Sequence, residues 1–404
     1  MPKAIDQFAE ESGFSREASR EYRAQSEEQE EFRPPRPRRN LRVGFSTGSA
    51  ATAAAQGALR ELLGLPCFGQ EKIRLPQGGS LTIPLRSHGR EGSRGEAVVV
   101  KDAGDDPDAT HGAEIGARVW FSKVGFQETV IIRGGEGVGR VTKPGLPVPV
   151  GEPAVNPVPR RMVHEGLASV WREHALNLPM HLLVEIFVPR GEEIARHTLN
   201  PRLGILGGIS ILGTTGLVRP FSHEAYRATI AAALQVARAV GLTCVVLATG
   251  GKSEEHLRSH LPHLPEEAFV QMGDYVRFAL KAAVGLGFTD LTVGAFFGKA
   301  VKIAQGFGHT HASRGVASFR ELALWIQEQT GDPLLAQAVS RANTAREVLE
   351  MLPAPQQGAV VKEVGSRMLA ALREHAGPGP QLTAVLLDFD GRPLFWEAGP
   401  GGSP

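Results

Sequence analysis

The chain has 404 residues, 42% of them hydrophobic, enough to bury the cores of two domains. Its 44 Lys and Arg residues stand against 43 Asp and Glu, a formal net charge of +1. That balance excludes a global attraction to nucleic acid or to an anionic membrane, so any anionic ligand must meet a local cluster. Cys67 and Cys244 are too few for a disulfide framework and too far apart for a thiolate zinc site, and read as ordinary semi-buried thiols.

In chain order, residues 1–40 are dominated by charge and end in Phe32-Arg33-Pro34-Pro35-Arg36-Pro37-Arg38-Arg39. Such a segment cannot offset its ordering entropy, so a flexible charged tail is expected, with at most a short helix around 15–30. The opening has no apolar signal core, and no apolar run reaches the ~20 residues needed to span a bilayer. A cytoplasmic protein is the expectation. Folding should begin at Leu41. Ser46-Thr47-Gly48-Ser49 precede an alanine-rich run, Ala50 to Leu63, that ends at Gly64 and Pro66: a capped helix whose small side chains let another element or a ligand come close. Strands follow at Lys72–Leu75, Leu81–Leu85, Ala97–Lys101, Arg118–Phe121, Thr129–Arg133 and Met180–Val188, separated by Gly, Asp and Pro. Few helical stretches intervene, which predicts an α+β domain with a mixed sheet over 41–199.

After Asn200 the pattern changes. Leu203–Leu212 is apolar and glycine-rich, Ser222 caps a helix to about Val240, and Thr243–Ala248 is a buried strand ending in the turn Thr249-Gly250-Gly251. A helix from about Asp274 to Val284, the strand Asp290–Phe297 and a helix opened by Gly298 and Lys299 repeat the strand–turn–helix order of a parallel α/β unit, spanning 200–375. Residues 376–404 read as a hairpin, Leu382–Phe389 with Pro393–Glu397, and a tail.

Five segments could carry chemistry. The helix start at Ser46, Thr47 and Ser49 offers unpaired N–H groups and hydroxyls to a carboxylate or phosphate, or is simple capping. The loop Lys101–Gly112 concentrates Asp102, Asp105, Asp106, Asp108 and His111: a general base or ligand-orienting group, a hard-cation site without the calcium-loop spacing, or a solvated acidic turn. A glycine-rich stretch interleaves Arg133, Arg140 and Lys143, and Asn156-Pro157-Val158-Pro159 stiffen a loop bearing Arg160 and Arg161. These cations could line an anionic ligand or decorate a surface loop; neither the full dinucleotide fingerprint nor a Walker loop is present. The run 203–216 holds Gly207, Gly208, Gly213, Thr214, Thr215 and Gly216, which let backbone approach a nucleoside or pack a tight turn. Finally, Gly298–Gly306 leads to His309 and His311, a pair lacking a third metal ligand nearby and suited to ordinary hydrogen bonding.

Taken in order, these blocks resemble the CbiD family of corrinoid biosynthesis. The resemblance rests on VVKDAGDDPDATHG (99–112), GLPVPVGEPAVNPVPR (145–160) and GISILGTTGLVRPFS (208–222), with LRVGFSTGSAATAAA (41–55) and GKAVKIAQG (298–306) completing the set. It spans about residues 41 to 315. Family members often carry a cysteine in the first helix, where this chain has Ala50 and Ala51, so a catalytic thiol is not supported there.

The resemblance implies a two-domain α+β and α/β chain, its second domain a Rossmann-like three-layer α/β/α domain. It also implies methylation of cobalt-precorrin-5B at C1, giving cobalt-precorrin-6A in anaerobic cobalamin synthesis, with S-adenosylmethionine as donor. Cobalt would arrive with the substrate, and no protein metal site is required. On this reading the first domain and the cleft hold the macrocycle through Ser46, Thr47, Ser49, Arg133, Arg140, Lys143, Arg160 and Arg161. Gly207, Gly208, Gly213, Thr214, Thr215 and Gly216 join Thr249, Gly250 and Gly251 around the donor at the ends of parallel strands. Asp102, Asp105 or His111 orients the ring or accepts a proton. The expected partner is a corrinoid small molecule, with neither nucleic acid nor membrane; a homo-oligomer and transient contacts with neighbouring pathway enzymes are compatible with it. Two rivals are a non-catalytic corrinoid carrier, against which donor binding would count, and a glycine-loop phosphotransferase, weakened by the missing Lys-Ser/Thr of a P-loop.

Overall fold

The computed structural model describes residues 41–121, 129–173, 181–311 and 317–399. The expectations of a flexible charged tail at 1–40 and of at most a short helix around 15–30 fall on residues outside them. The chain enters through β1 (Gly44–Phe45) and turns at once into α1 (Thr47–Leu63). The Ser46 hydroxyl caps that helix by accepting from the Ser49 N–H at 3.2 Å, and Gly64 ends it at φ 67°. Alanine has the highest helix propensity and the smallest buried surface, so α1 forms readily and can be approached from every side. Ala50, Ala51, Ala53, Ala54, Ala55 and Ala58 are all fully buried. A Cβ on Gly95 would fall 1.9 Å from the Ala58 carbonyl oxygen, so the strand can lie this close only without a side chain there.

The strand on which α1 rests belongs to a mixed sheet. β2 (Gln70–Arg74) and β3 (Ser80–Pro84) form a separate hairpin. β4 (Ser87–Glu91), β5 (Arg94–Val100), β6 (Glu114–Phe121), β7 (Thr129–Gly134) and, after the short β8 (Arg140–Val141) and α2 (Pro157–Glu173), β9 (His181–Phe187) make a five-stranded sheet ordered β4-β5-β6-β9-β7. All neighbours are antiparallel except β9 and β7. Alternate residues of β5 and β6, Ala97, Val99, Ile115, Ala117 and Val119, share one core with α1 and α2.

Two features of the first sheet and its helices depart from the sequence reading. β4 carries no hydrophobic run and is an edge strand, held by its ladder to β5. The stretch read as a proline-stiffened loop is the first turn of α2. Pro157 and Pro159 sit where helical N–H groups have no intrahelical partner, so proline there starts a helix instead of breaking one. Met162, Val163, Leu167 and Val170 then recur at helical spacing and are buried.

After α3 (Gly191–Ala195), the glycine-rich run contributes β10 (Ile205–Leu206) and β11 (Leu217–Val218). The sequence reading grouped this run with the second domain. The structure puts it on the first: β10 pairs with β8, β11 pairs with β1, and Ile209 and Ile211 are buried in the first core. The reason is an extended alternation, in which these two isoleucines point inward and bridge to Val138 and Val155.

The second unit follows with α4 (His223–Ala239), β12 (Cys244–Ala248), α5 (Gly251–His260), β13 (Phe269–Gln271), α6 (Val276–Gly285), β14 (Asp290–Phe296) and α7 (Phe297–Ala304). The helices α8 (Phe319–Thr330), α9 (Pro333–Ser340), α10 (Ala345–Met351) and α11 (Ala354–Ala376) precede β15 (Gln381–Leu387) and β16 (Pro393–Ala398). The sheet order is β13-β12-β14-β15-β16, parallel except for the last strand, so the C-terminal hairpin completes this second sheet. Strand residues alternate between two cores. Val245, Leu247, Val293 and Leu386 face the larger one with α4, α6 and α11, while Val246, Ala248 and Leu387 face Leu257 of α5. Among the described residues no helix is long and apolar enough to cross a membrane.

Candidate active site

The N-terminus of α1 is where the motifs converge. The Gly48 N–H donates to the Leu212 carbonyl at 3.0 Å, and the Ser46 N–H donates to the Gly216 carbonyl at 3.0 Å. The Leu212 N–H donates to Thr47 Oγ1 at 2.9 Å, and Ser49 Oγ donates to the Gly216 carbonyl at 2.6 Å. Ser46, Thr47 and Ser49 are buried, so this helix start is closed by the protein's own 208–216 strap and does not present its hydroxyls to a ligand. That corrects the expectation for these three residues: a helix end inside a core must satisfy its orphan donors internally. The strap's glycines serve the same contact. Gly213 lies at φ 139° with a hypothetical Cβ 2.2 Å from Ser46 Oγ, and Gly216 at φ 81° with one 2.9 Å from Ser49 Oγ. Thr214 is exposed, while Thr215 Oγ1 accepts from the Leu217 N–H at 3.2 Å. Gly208 is pressed against the backbone of Gly137, and a side chain on Gly207 would meet only open space. This strap rests on the first core, whereas Thr249, Gly250 and Gly251 end β12 in the second sheet. The two glycine turns expected to share the donor therefore rest on different cores.

The acidic loop is fastened to the same helix start. Arg42 donates from Nη1 to Asp102 and from its backbone N–H to Asp105 Oδ2 at 2.7 Å, while the Phe45 N–H donates to the Asp102 carbonyl at 2.8 Å. The Arg42 hydrogen bond holds the Asp102 carboxyl below the ordinary range. Inside the loop, the ammonium of fully buried Lys101 pairs with Asp108, whose other oxygen accepts from the Thr110 N–H and hydroxyl. Asp106 accepts from the Phe221 N–H at 2.9 Å, tying the loop to the strap's end. Among the described residues, Phe221 is one of two non-glycine residues at positive φ, a conformation costing of order 1–3 kcal/mol that persists where its surroundings enforce it.

His111 stands beside this group, about half exposed, with Nδ1 accepting from the Ala103 N–H at 3.1 Å and lying 3.8 Å from Asp102 Oδ1. An Nδ1 that accepts leaves the neutral ring's proton on Nε2, making His111 a donor. Asp102, Asp105 and His111 are thus brought together around Arg42, a residue that sequence reasoning missed. Its only signal was an arginine inside the first motif, to which no role was given.

The proposed carboxylate partners are more dispersed. Arg133 is exposed on β7, and Arg161 lies on the surface of α2, 3.8 Å from Glu165. Arg140 donates from Nη1 to the Gly151 carbonyl, and Arg160 donates from Nε to the Val155 carbonyl at 2.8 Å, so both clasp the 151–155 segment. Lys143 pairs with Glu267 at 2.8 Å, joining the two units. Arg202 adds a bidentate link to Glu254, at 2.8 and 3.1 Å. Arg140, Lys143 and Arg160 are hence already engaged by the protein, because a cation near backbone carbonyls and carboxylates satisfies itself locally.

At the carboxyl end of the second sheet, Lys299 donates to the Thr249 carbonyl at 2.8 Å and lies 3.1 Å from Asp274 Oδ1. The Thr310 hydroxyl donates to that same oxygen at 2.8 Å. Tyr275, next in sequence, lies with its ring centroid 4.7 Å from that of His309 and stacks on Tyr226 at 5.1 Å. Sequence reasoning had Lys299 and Asp274 only as helix starts and missed their pairing, since nothing local connects residues 25 positions apart. The His311 N–H donates to His309 Nδ1 at 3.3 Å. Among the described residues, Glu61, Cys67 and His88 form the one trio whose potential ligand atoms come within 4.8 Å of one another. Burial raises the thiols of both Cys67 and Cys244, so neither is poised as a nucleophile.

The family model CbiD matches residues 35–220, and the model for the CbiD C-terminal domain matches 309–398. A cobalt-precorrin-5B C(1)-methyltransferase from Geobacillus kaustophilus is 49% identical over 316 residues, covering 78% of this chain and 83% of its own. Proteins of the same name from Nitratidesulfovibrio vulgaris and Thermus thermophilus are 46% and 44% identical, each covering 89% of this chain and 94% of their own length. The crystal structure of a cobalamin biosynthesis protein (CbiD) from Archaeoglobus fulgidus aligns with 64% of this chain and 78% of its own, at 30% identity and a TM-score of 0.36. With such identity sustained over most of both chains, this protein belongs to the CbiD family.

Proposed function

We propose that the chain is a methyltransferase of cobalamin biosynthesis that methylates cobalt-precorrin-5B at C1, giving cobalt-precorrin-6A, with S-adenosylmethionine as the donor. The observation that carries this reading is the match to relatives bearing that name along 83–94% of their length. The convergence of the 42–49, 101–112 and 208–222 segments on one helix end supports it, since these are the segments of the family resemblance.

In this reading the first unit, residues 41–222, carries the macrocycle, and the Rossmann-like second unit carries the donor. The residues at the end of β12 fit such a donor. A Cβ on Gly250 would meet nothing within 4 Å, and one on Gly251 only the Gln271 amide at 3.7 Å, so backbone there is open to close approach. That turn lies where the strand order reverses in an open parallel sheet, the usual ligand crevice of such folds. When bound, the donor supplies an activated methyl group on a sulfonium. The protein's task is then alignment, which can supply ~7–11 kcal/mol of a barrier.

His111 donates from Nε2 to a substrate carboxylate or ring position, with Asp102 kept ionised by Arg42 and Asp105, which accepts from the Arg42 N–H, helping to hold its loop in place. Arg133 and Arg161, both exposed, are the cations best placed to meet further carboxylates of the macrocycle.

The test is transfer of a carbon-13 methyl from labelled S-adenosylmethionine to cobalt-precorrin-5B, read by NMR at C1. Label at C1 supports the reading. Tight corrinoid binding without label transfer would replace it with a non-catalytic carrier.

A further inference from the structure

The carboxyl ends of three neighbouring parallel strands meet over β12. Thr249 follows β12, Asp274 lies three residues beyond β13, and Lys299 stands in the first turn of α7 after β14. Lys299 Nζ is 3.1 Å from Asp274 Oδ1, which also accepts from the Thr310 hydroxyl at 2.8 Å. Lys302, about one turn further along α7, donates to the Thr310 carbonyl at 2.9 Å. Two ammonium groups thus stand near one carboxylate, Lys299 paired with it directly and Lys302 held on the carbonyl of the Thr310 that donates to it. Burial depresses Lys302; Asp274 opposes that effect and Lys299 adds to it, so the two ammoniums repel. Burial alone would raise Asp274, yet Lys299 and Thr310 hold it below the ordinary range, so it remains an anion.

We propose that this cluster is the subsite for the amino-acid end of the methyl donor, Asp274 taking the α-ammonium and Lys299 and Lys302 the α-carboxylate. The proposal rests on the donor site assigned above. A zwitterion inserted here exchanges the internal Asp274–Lys299 pair for two pairs with the ligand, and it gives the second ammonium a counter-charge. A ribose or a purine would use the carboxylate or an aromatic face and leave that second ammonium unmatched.

The test compares two probes by isothermal titration: S-adenosylmethionine, which carries the zwitterion, and 5′-methylthioadenosine, which shares its nucleoside but lacks it. Asp274→Asn and Lys302→Met should each weaken S-adenosylmethionine about 10- to 100-fold, the loss expected for a charge-assisted hydrogen bond, and change 5′-methylthioadenosine less than about threefold. Retained nucleoside binding certifies a folded site in each variant, and Lys302→Met carries the comparison alone if Asp274→Asn does not fold. Equal losses for both probes would place the ribose on Asp274 and overturn the proposal, as would unchanged affinity for S-adenosylmethionine. If the unaltered protein bound neither probe, the donor site of the preceding section would itself fall.

Discussion

Lys101→Met removes the ammonium from inside the acidic loop while keeping most of the side chain's length. Lys101 is 1% exposed and its partner Asp108 26%. Deleting one member of a buried pair strands the other and costs about 3–5 kcal/mol. Asp108 is partly solvated and keeps two hydrogen bonds from Thr110, so the expectation falls to about 2–3 kcal/mol at pH 7. The pH dependence separates this cause from lost packing. In the unaltered protein, burial pushes the Asp108 carboxyl up, but Lys101 and Thr110 pull it further down, so its folded pKa lies below the unfolded value. That stabilisation is present above the unfolded pKa of ~3.9 and is lost as pH falls through the folded one. In the variant the burial remains and the pull of Lys101 is gone. The carboxyl then titrates higher than in the unaltered protein, held down only by Thr110, so the two proteins converge in stability as pH falls. The penalty should be largest near pH 7 and shrink toward pH 4, and Lys101→Met with Asp108→Leu should recover most of it. Urea unfolding at pH 7, 5.5 and 4.5 reads these differences. A penalty independent of pH, and undiminished in the double variant, would refute the ion pair as the loop's fastening.

Gly213→Val places a branched side chain at φ 139° against Ser46 Oγ, so it should destabilise the first unit by about 2–4 kcal/mol. Because the strap rests on the first core, affinity for S-adenosylmethionine should stay within about twofold by titration; its abolition in a folded variant would return the strap to the donor site. His111→Gln keeps a donor near Nε2 and should retain turnover within about tenfold, while His111→Phe should lose about 100-fold or more; equal losses would make His111 a base. His375 is held neutral by burial, with Arg277 adding to the effect, and its pKa falls to about 4. The unfolded chain binds that proton first, so the stability His375 contributes is full above about pH 6.5 and is lost as pH falls toward 4, about 3 kcal/mol in all. His375→Gln should flatten unfolding free energy against pH across that window, and an unchanged slope would count against it.

Much of the secondary structure was legible because it is local. The alanine run with Ser46 before it and Gly64 after it contains the propensity and both caps of α1. The run Thr243–Ala248 with its glycine turn likewise contains β12 and the start of α5. Pro157 and Pro159 misled because a proline is a breaker or an initiator according to where the helix begins, and their own neighbourhood does not say which.

The sites were less legible for the same reason carried further. Residue types announced that the 101–112 loop was unusual, but not that Arg42 would tie Asp102 and Asp105 together. Glycine content marked the 207–216 run as a place of close approach, but what approaches is the buried start of α1, more than 160 residues earlier. Arg140, Lys143 and Arg160 looked available to an anion until backbone carbonyls and Glu267 were brought to them. The sequence by itself determined the elements with strong local signals, such as α1 and β12, the balanced charge and the family motifs, because these follow from neighbours along the chain. Only the tertiary structure decided which core the strap joins, which cations are spent internally and that Asp274 meets Lys299. Those outcomes turn on which donors and acceptors lose water together, and that is set by the packing of distant segments.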